Sequence, residues 1–198
     1  MPIGSAVHRR TLPLCKSLNY RDWSGFFAVS AYESHHEHEY AAIRTSTALI
    51  DVSPLYKYLI TGKQATALVD RLITRDATKL AVGQVAYTTW CDEHGKVIDD
   101  GTVSRLGEER YRWTAVDPNL RWFQENARGL DVTIRDVSEQ VGALALQGPT
   151  SADVLRQVAD IDVDALNYFR VTSGAIRGVQ VDVSRTGFTG DLGYEIWM

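Results

Sequence analysis

The sequence predicts an α+β protein made of two interlocked antiparallel α+β lobes. Strand-like runs alternate with single helix-like segments, in the order β-α-β-β-β-α-β and then β-α-β-β-β. The connections between successive strands are tight, whereas a parallel sheet needs long crossovers. Apart from a mixed-polarity stretch at the start, no linker separates the two series, so the lobes are expected to interlock.

Residues 1–36 show no sustained period. Their scattered aromatics (Tyr20, Trp23, Phe26, Phe27, Tyr32) suggest an arm lying on the body. The polar run from Ser34 to Glu39 leads into a short helix through Arg44. Tyr56 to Ile60 alternates loosely and reads as a strand, ended by Thr61-Gly62. Ala67, Leu68, Leu72 and Ile73 then fall at helical spacing, which predicts an amphipathic helix over 63–74. A three-strand meander follows: Val82 to Trp90, Val97 to Ser104 after the turn at 92–95, and Arg110 to Val116. Asp117-Pro118 has the chemistry of a helix start, with Asp at the N-cap and Pro at the first helical position. Leu120, Phe123 and Ala127 give that helix an apolar face, and Gly129 ends it. Short strands are expected at 131–135 and 141–146, and Gly148-Pro149-Thr150 opens a helix reaching Val158. Strands at 168–172, 179–184 and 194–197 complete the set, and no repeat of 20–50 residues shows in the residues themselves.

The chain has 198 residues, 44% apolar and 23% charged, which excludes a disordered chain, a collagen-like repeat and a membrane bundle. A net charge of -4 and a pI near 5.7 argue against a binder of nucleic-acid backbone. The two cysteines, Cys15 and Cys91, form neither a disulfide framework nor a zinc spacing, and point to a reducing, cytoplasmic compartment. The first fourteen residues lack the apolar core of a secretory signal, and no window approaches 18 apolar residues, so no membrane partner is expected. Arg9, Arg10 and Lys16 lie in a short acid-free stretch that leaves a mitochondrial leader open.

Few motifs carry chemistry. Gly95 to Asp100 sets two adjacent acids, Asp99 and Asp100, at the end of a hairpin turn. Neighbours on a strand point to opposite faces, so one acid can face solvent and the other a cleft; two solvated turn carboxylates are the plain alternative. Thr186 to Glu195 holds three glycines in seven positions, which requires a sharp turn or a close approach. It lacks the lysine of a phosphate loop and the helix that follows a dinucleotide fingerprint. Glu195 sits in an otherwise apolar strand, where alternation favours the outward face and a donor-lined pocket is the alternative. His35, His36 and His38 have no His-Glu-x-x-His pattern and no second cluster, so no metal site is predicted. No Gly-x-Ser-x-Gly elbow is present, and the acids beside Cys91 disfavour a thiolate nucleophile.

Five ordered segments together resemble one family. They are Arg44 to Ser53 (its Arg-x-x-x-x-Leu-Phe-Asp-Val-Ser), Gly83 to Thr89 (Gly-x-x-x-Tyr-Thr), Gly95 to Asp100 (Gly-Gly-x-x-Asp-Asp), Ala145 to Pro149 and Arg185 to Glu195. The family is the aminomethyltransferases, the T-protein of the glycine cleavage system, with their folate-dependent relatives. The likeness runs from about residue 37 to Met198, which implies a T-protein-like folate-binding region over 37–198 and an N-terminal extension over 1–36. Family members run to about twice this length. The apolar ending at Tyr194–Met198 is therefore expected to fall inside a domain, with the family's C-terminal β-barrel domain missing.

The resemblance implies a tetrahydrofolate site. In it Asp100 is the catalytic residue beside the reacting amine, Glu195 holds the pterin, Tyr87 lines the pocket, and Leu55 stands where the family usually has Met. Phe188 stands where it often has Tyr. The implied reaction moves a one-carbon unit from an aminomethyl group on the lipoyl arm of a carrier, the H-protein, to tetrahydrofolate, with release of ammonia. Three departures concern the donor side: Pro54-Leu55 replaces His-Met, Lys96 replaces the second Gly, and Ala115-Val116 replaces Asn-Ala. A demethylase taking a small-molecule one-carbon donor, or a non-catalytic folate-binding module, would also suit these residues.

Overall fold

The structure is a computed structural model that describes residues 1–198. In chain order it contains α1 (His8–Thr11), β1 (Asn19–Trp23), β2 (Phe26–Ala31), α2 (Glu37–Thr45), β3 (Ala48–Asp51), β4 (Tyr56–Thr61) and α3 (Ala65–Leu72). Then come β5 (Val85–Cys91), β6 (Val97–Gly107), β7 (Arg110–Ala115), α4 (Leu120–Asn126), β8 (Thr133–Asp136) and β9 (Ala143–Gln147). The chain continues through α5 (Ser151–Val158), β10 (Val171–Ile176), β11 (Val179–Ser184) and β12 (Gly193–Trp197). These form two compact units. One is Leu55–Gln140; the other joins Met1–Pro54 to Val141–Met198, so it is drawn from both sides of the first.

In the 55–140 unit, an antiparallel sheet runs in the order β5-β6-β7-β4-β8. Its period of two sends Tyr58, Ile60, Ala86, Trp90, Val103, Tyr111 and Trp113 to one face. α3 lies on that face because Ala65, Leu68, Val69 and Leu72 recur at helical spacing and are all buried. Phe123 of α4 completes the core: its ring centroid is 4.5 Å from that of Trp113, which meets Trp90 edge-on at 5.0 Å. The other face of the sheet carries Lys57, Tyr87, Thr89, Asp100, Thr102 and Thr114. There Tyr87 pairs with Thr102, Thr89 with Asp100 and Lys57 with Thr114.

The second unit repeats the plan. Its antiparallel sheet runs β10-β11-β12-β9-β3. Leu146, Val181, Val183, Tyr194 and Ile196 form a core with Ala152 and Leu155 of α5. β4-α3-β5-β6-β7 and β9-α5-β10-β11-β12 are the same βαβββ motif, each meander returning to pair with its first strand. One further strand flanks each motif, β8 beside β4 and β3 beside β9. The repeat is invisible in the residues because it conserves apolar period rather than side chains: α3 buries Ala65, Leu68, Val69 and Leu72 where α5 buries Ser151, Ala152 and Leu155.

Three sequence expectations change. Residues 1–36 contain the β1–β2 hairpin, to which Ile3 adds a bridge at Phe26, and the rings of His8, Tyr20 and Phe27 gather against one another. β3 is an additional strand within the Arg44–Ser53 motif. α4 starts at Leu120 rather than directly after Asp117, and Asn119 at its N-cap makes no side-chain cap. The Asn119 amide is committed elsewhere, as described next.

Candidate functional site

The two adjacent acids divide their roles by strand geometry. Asp99 turns toward the core side of β6 and is 8% exposed. Its carboxylate accepts from the Asp100 N–H (2.8 Å), the Asp117 N–H (3.0 Å) and Asn119 Nδ2 (2.8 Å). Asn119 in turn accepts from Trp90 Nε1 at 3.0 Å and donates its backbone N–H to the Tyr58 hydroxyl at 2.8 Å. A buried carboxylate with three donors, at least one on each oxygen, is a satisfied structural acceptor. Asp99 therefore ties the end of β6 to the turn before α4.

Asp100 points the other way, and the Tyr87 hydroxyl donates to its Oδ2. Tyr87 is 42% exposed, so the pair lies on an accessible face. The bond to Asp100 is the main cause of a raised Tyr87 pKa, with burial adding to it, so the phenol stays protonated and remains a donor. Leu55 leads into β4, and its carbonyl accepts from Lys57 Nζ at 2.6 Å. Lys57 is fully buried.

In the other unit, Glu195 lies on β12 opposite Ser184 of β11 and Ala145 of β9, on the face turned away from the core. It is half-buried there, and the Thr186 hydroxyl donates to its Oε2 at 2.5 Å. The loop before β12 is built around Gln147, which is fully buried. Gln147 Nε2 donates to the carbonyls of Thr186 and Tyr194, and its Oε1 accepts from Thr189 Oγ1 at 2.9 Å. A Cβ on Gly187 or Gly193 would come within 2.0 or 2.1 Å of Gln147 Oε1, so both glycines are there to make room for it. From the other side Arg44 holds the loop, donating to the Thr189 carbonyl at 2.8 Å and pairing with Asp191. Phe188 stands at the tip, 94% exposed.

Of the residues singled out by sequence, Tyr87 and Asp100 are brought into direct contact. They share the 55–140 unit with Leu55, whereas Phe188 and Glu195 belong to the other unit. Four structural contributors had no assigned role in the sequence reading: Asn119, Gln147, Thr186 and Lys57. A signal existed for Gln147, a lone polar residue at the end of an apolar strand, and for its partners, since the glycines of Thr186 to Glu195 must approach something and two of them, Gly187 and Gly193, approach Gln147. None existed for Lys57, since a lysine in an alternating strand reads as solvent-facing.

Two helix-backed antiparallel sheets built on the same βαβββ motif are the fold of the glycine cleavage T protein, as a solved structure shows. The chain superposes on the crystal structure of glycine cleavage system aminomethyltransferase T from Bartonella henselae with a TM-score of 0.88. The identity is 21%, covering 100% of this chain and 54% of that one, a likeness that shows the fold. The chain belongs to the GCVT N-terminal domain family, whose profile matches residues 17–198 and so begins ahead of residue 37. It is 36% identical over 180 residues to an aminomethyltransferase of Moorella thermoacetica, covering 89% of this chain and 49% of the relative. It is 38% identical over 191 residues to a trimethylamine-oxide aldolase of Ruegeria pomeroyi, covering 90% of this chain and 24% of the relative. The chain thus spans about half the length of one curated relative and a quarter of the other. No helix is long and apolar enough to cross a membrane.

Proposed function

We propose that the chain is the folate-binding part of a tetrahydrofolate-dependent aminomethyltransferase. In this reading it passes a one-carbon unit from an aminomethyl-lipoyl carrier, the H-protein, to tetrahydrofolate, and ammonia leaves. The observation that carries the reading is the Tyr87–Asp100 pair: an accessible carboxylate oriented by a phenol and rooted through its own N–H in the Asp99 network.

The residues fit a reduced pterin. The edge of such a ring offers a ring N–H and an amino group side by side, and a carboxylate such as Glu195 accepts both in a charge-assisted pair. Tetrahydrofolate supplies the amine that takes up the one-carbon unit. Tyr87 occupies Asp100 Oδ2 and so leaves Oδ1 to accept from that amine and orient it. Asp100 need not complete a proton transfer, because orientation of two bound reactants is itself worth up to about 7–11 kcal/mol. Leu55 and Phe188 would contribute apolar surface to the folate. A cytoplasmic location suits the two free cysteines, Cys15 and Cys91.

A second reading is favoured by a specific observation. The 38% identity to a trimethylamine-oxide aldolase accompanies donor-side departures at Pro54-Leu55, Lys96 and Ala115-Val116, while Asp100 and Glu195 are kept. That combination fits a tetrahydrofolate-dependent demethylase of a small methylated substrate. The deciding experiment runs two assays on the same chain. Tetrahydrofolate-dependent ammonia release from the aminomethyl-lipoyl carrier supports the first reading, and carbon transfer from a methylated amine supports the second. Folate binding with neither turnover identifies a non-catalytic module.

Glu195→Ala is expected to weaken tetrahydrofolate binding by roughly 1.5–3 kcal/mol, the scale of hydrogen bonds to a charged group. Calorimetric titration reads this directly, and an unchanged affinity removes Glu195 from the site.

A further inference from the structure

On the face of the β11–β12 pair turned away from the core lies a row of hydrogen-bonding groups that leads to Glu195. Ser184 and Glu195 are cross-strand partners, and Trp197 follows two residues on, on the same face. Trp197 Nε1 donates to Ser184 Oγ at 3.2 Å, the hydroxyls of Ser184 and Thr186 are 2.7 Å apart, and Thr186 Oγ1 donates to Glu195 Oε2. The donor order in this row is fixed. An indole N–H can only donate. Thr186 has a single hydroxyl proton and gives it to Glu195, so Ser184 is the donor in the middle contact. Every proton therefore points toward the carboxylate. Ser184, Thr186 and Trp197 are all buried, which keeps bulk water from competing for the row.

We infer that Thr186 is a positioning residue: backed by Ser184 and Trp197, its hydroxyl fixes Glu195 as a pure acceptor aimed at a ligand edge carrying adjacent N–H donors. This rests on the reading of Glu195 as the pterin-holding group. It adds a reason for the site's preference, since a carboxylate held in one rotamer loses less freedom when a ligand docks. A planar heterocycle with side-by-side ring N–H and amino groups is the ligand class such an acceptor selects.

The test compares tetrahydrofolate affinity in three variants. Thr186→Val keeps the shape and removes the hydroxyl; it is expected to weaken binding about tenfold, in line with loss of a hydrogen bond to a charged acceptor. Thr186→Ser restores the hydroxyl and is expected to bind within about twofold of the parent, a rescue that a purely packing role would not give. In a Glu195→Ala background, Thr186→Val is expected to have no further effect, because its effect acts through Glu195. The inference is overturned if the valine chain binds like the parent, if serine fails to rescue it, or if its effect persists without Glu195. If Glu195→Ala alone leaves affinity unchanged, the reading of Glu195 as the pterin-holding group falls, and the inference with it. Should the valine chain not fold, Ser184→Ala removes the donor behind Thr186 and is expected to weaken binding about threefold; parental affinity in that variant also overturns the inference.

Discussion

Asp100→Asn is expected to lower tetrahydrofolate-dependent turnover about 100-fold, the lower end of what a positioned acid–base group contributes. Tetrahydrofolate affinity should stay within about threefold, because losing one exposed polar contact changes binding little. The substitution keeps the side-chain shape and one oxygen to receive the Tyr87 hydroxyl. It replaces the other oxygen with an NH2, a donor where the amine needs an acceptor. Asp99 and its three donors are untouched, so the hairpin should keep its form. The measurement pairs steady-state assays with a binding titration, using whichever carbon donor the parent chain accepts. Parental turnover in the asparagine chain would take Asp100 out of the chemistry. A parallel collapse of binding and turnover would make it a binding group instead.

The second large effect concerns stability. Trp113→Ala should lower the unfolding free energy by roughly 3–5 kcal/mol, the usual cost of truncating a buried aromatic to alanine. Trp113 is fully buried between Trp90 and Phe123, so its removal opens a cavity in the middle of the 55–140 core. Trp113→Phe should cost far less, roughly 1–2 kcal/mol, for a specific reason: Trp113 Nε1 is buried with no hydrogen-bond partner, so phenylalanine forfeits no bond. Urea unfolding of the three chains distinguishes these costs. Equal losses for alanine and phenylalanine would mean that the indole N–H is engaged after all.

The elements that the sequence made legible are those whose burial follows one period. α3 and β5 each hide one face and leave the other more open, and their residues say as much. Lys57 broke the rule because the middle of its sheet is buried on the second face as well: Ser104, Arg112 and Thr114 are each no more than 5% exposed there, and Lys57 is fully buried. An alternating strand is read by assuming one wet face, and here that assumption fails. The N-terminal hairpin was missed for the opposite reason. No residue of β1 or β2 is fully buried, so its alternation is faint, although Ser24-Gly25 sits at the turn.

The candidate site was legible as a set of residues but not as a geometry. The resemblance pointed to Asp100 and Tyr87 separately. Their contact depends on the register of β5 against β6, which shifts at Trp90/Cys91. A one-residue slip reverses which face a side chain occupies, and local sequence does not encode such a shift. The division of labour between Asp99 and Asp100 was equally hidden, because it rests on Asn119, distant in sequence and next to the Asp117-Pro118 helix-start signal.

The strand order of the second unit also bears on how the protein comes to be folded. β12 is the last of its strands in sequence, yet it lies inside the sheet and joins β10–β11 to β9–β3. Until residues 193–197 have left the ribosome, that sheet exists as two unjoined halves. The Leu55–Gln140 unit depends on nothing so late, since all its strands lie within one continuous stretch. Because units fold as their chain becomes available, the half bearing Asp100 forms first during synthesis. The half bearing Glu195 closes after it, and the strand that closes it is the one that carries Glu195.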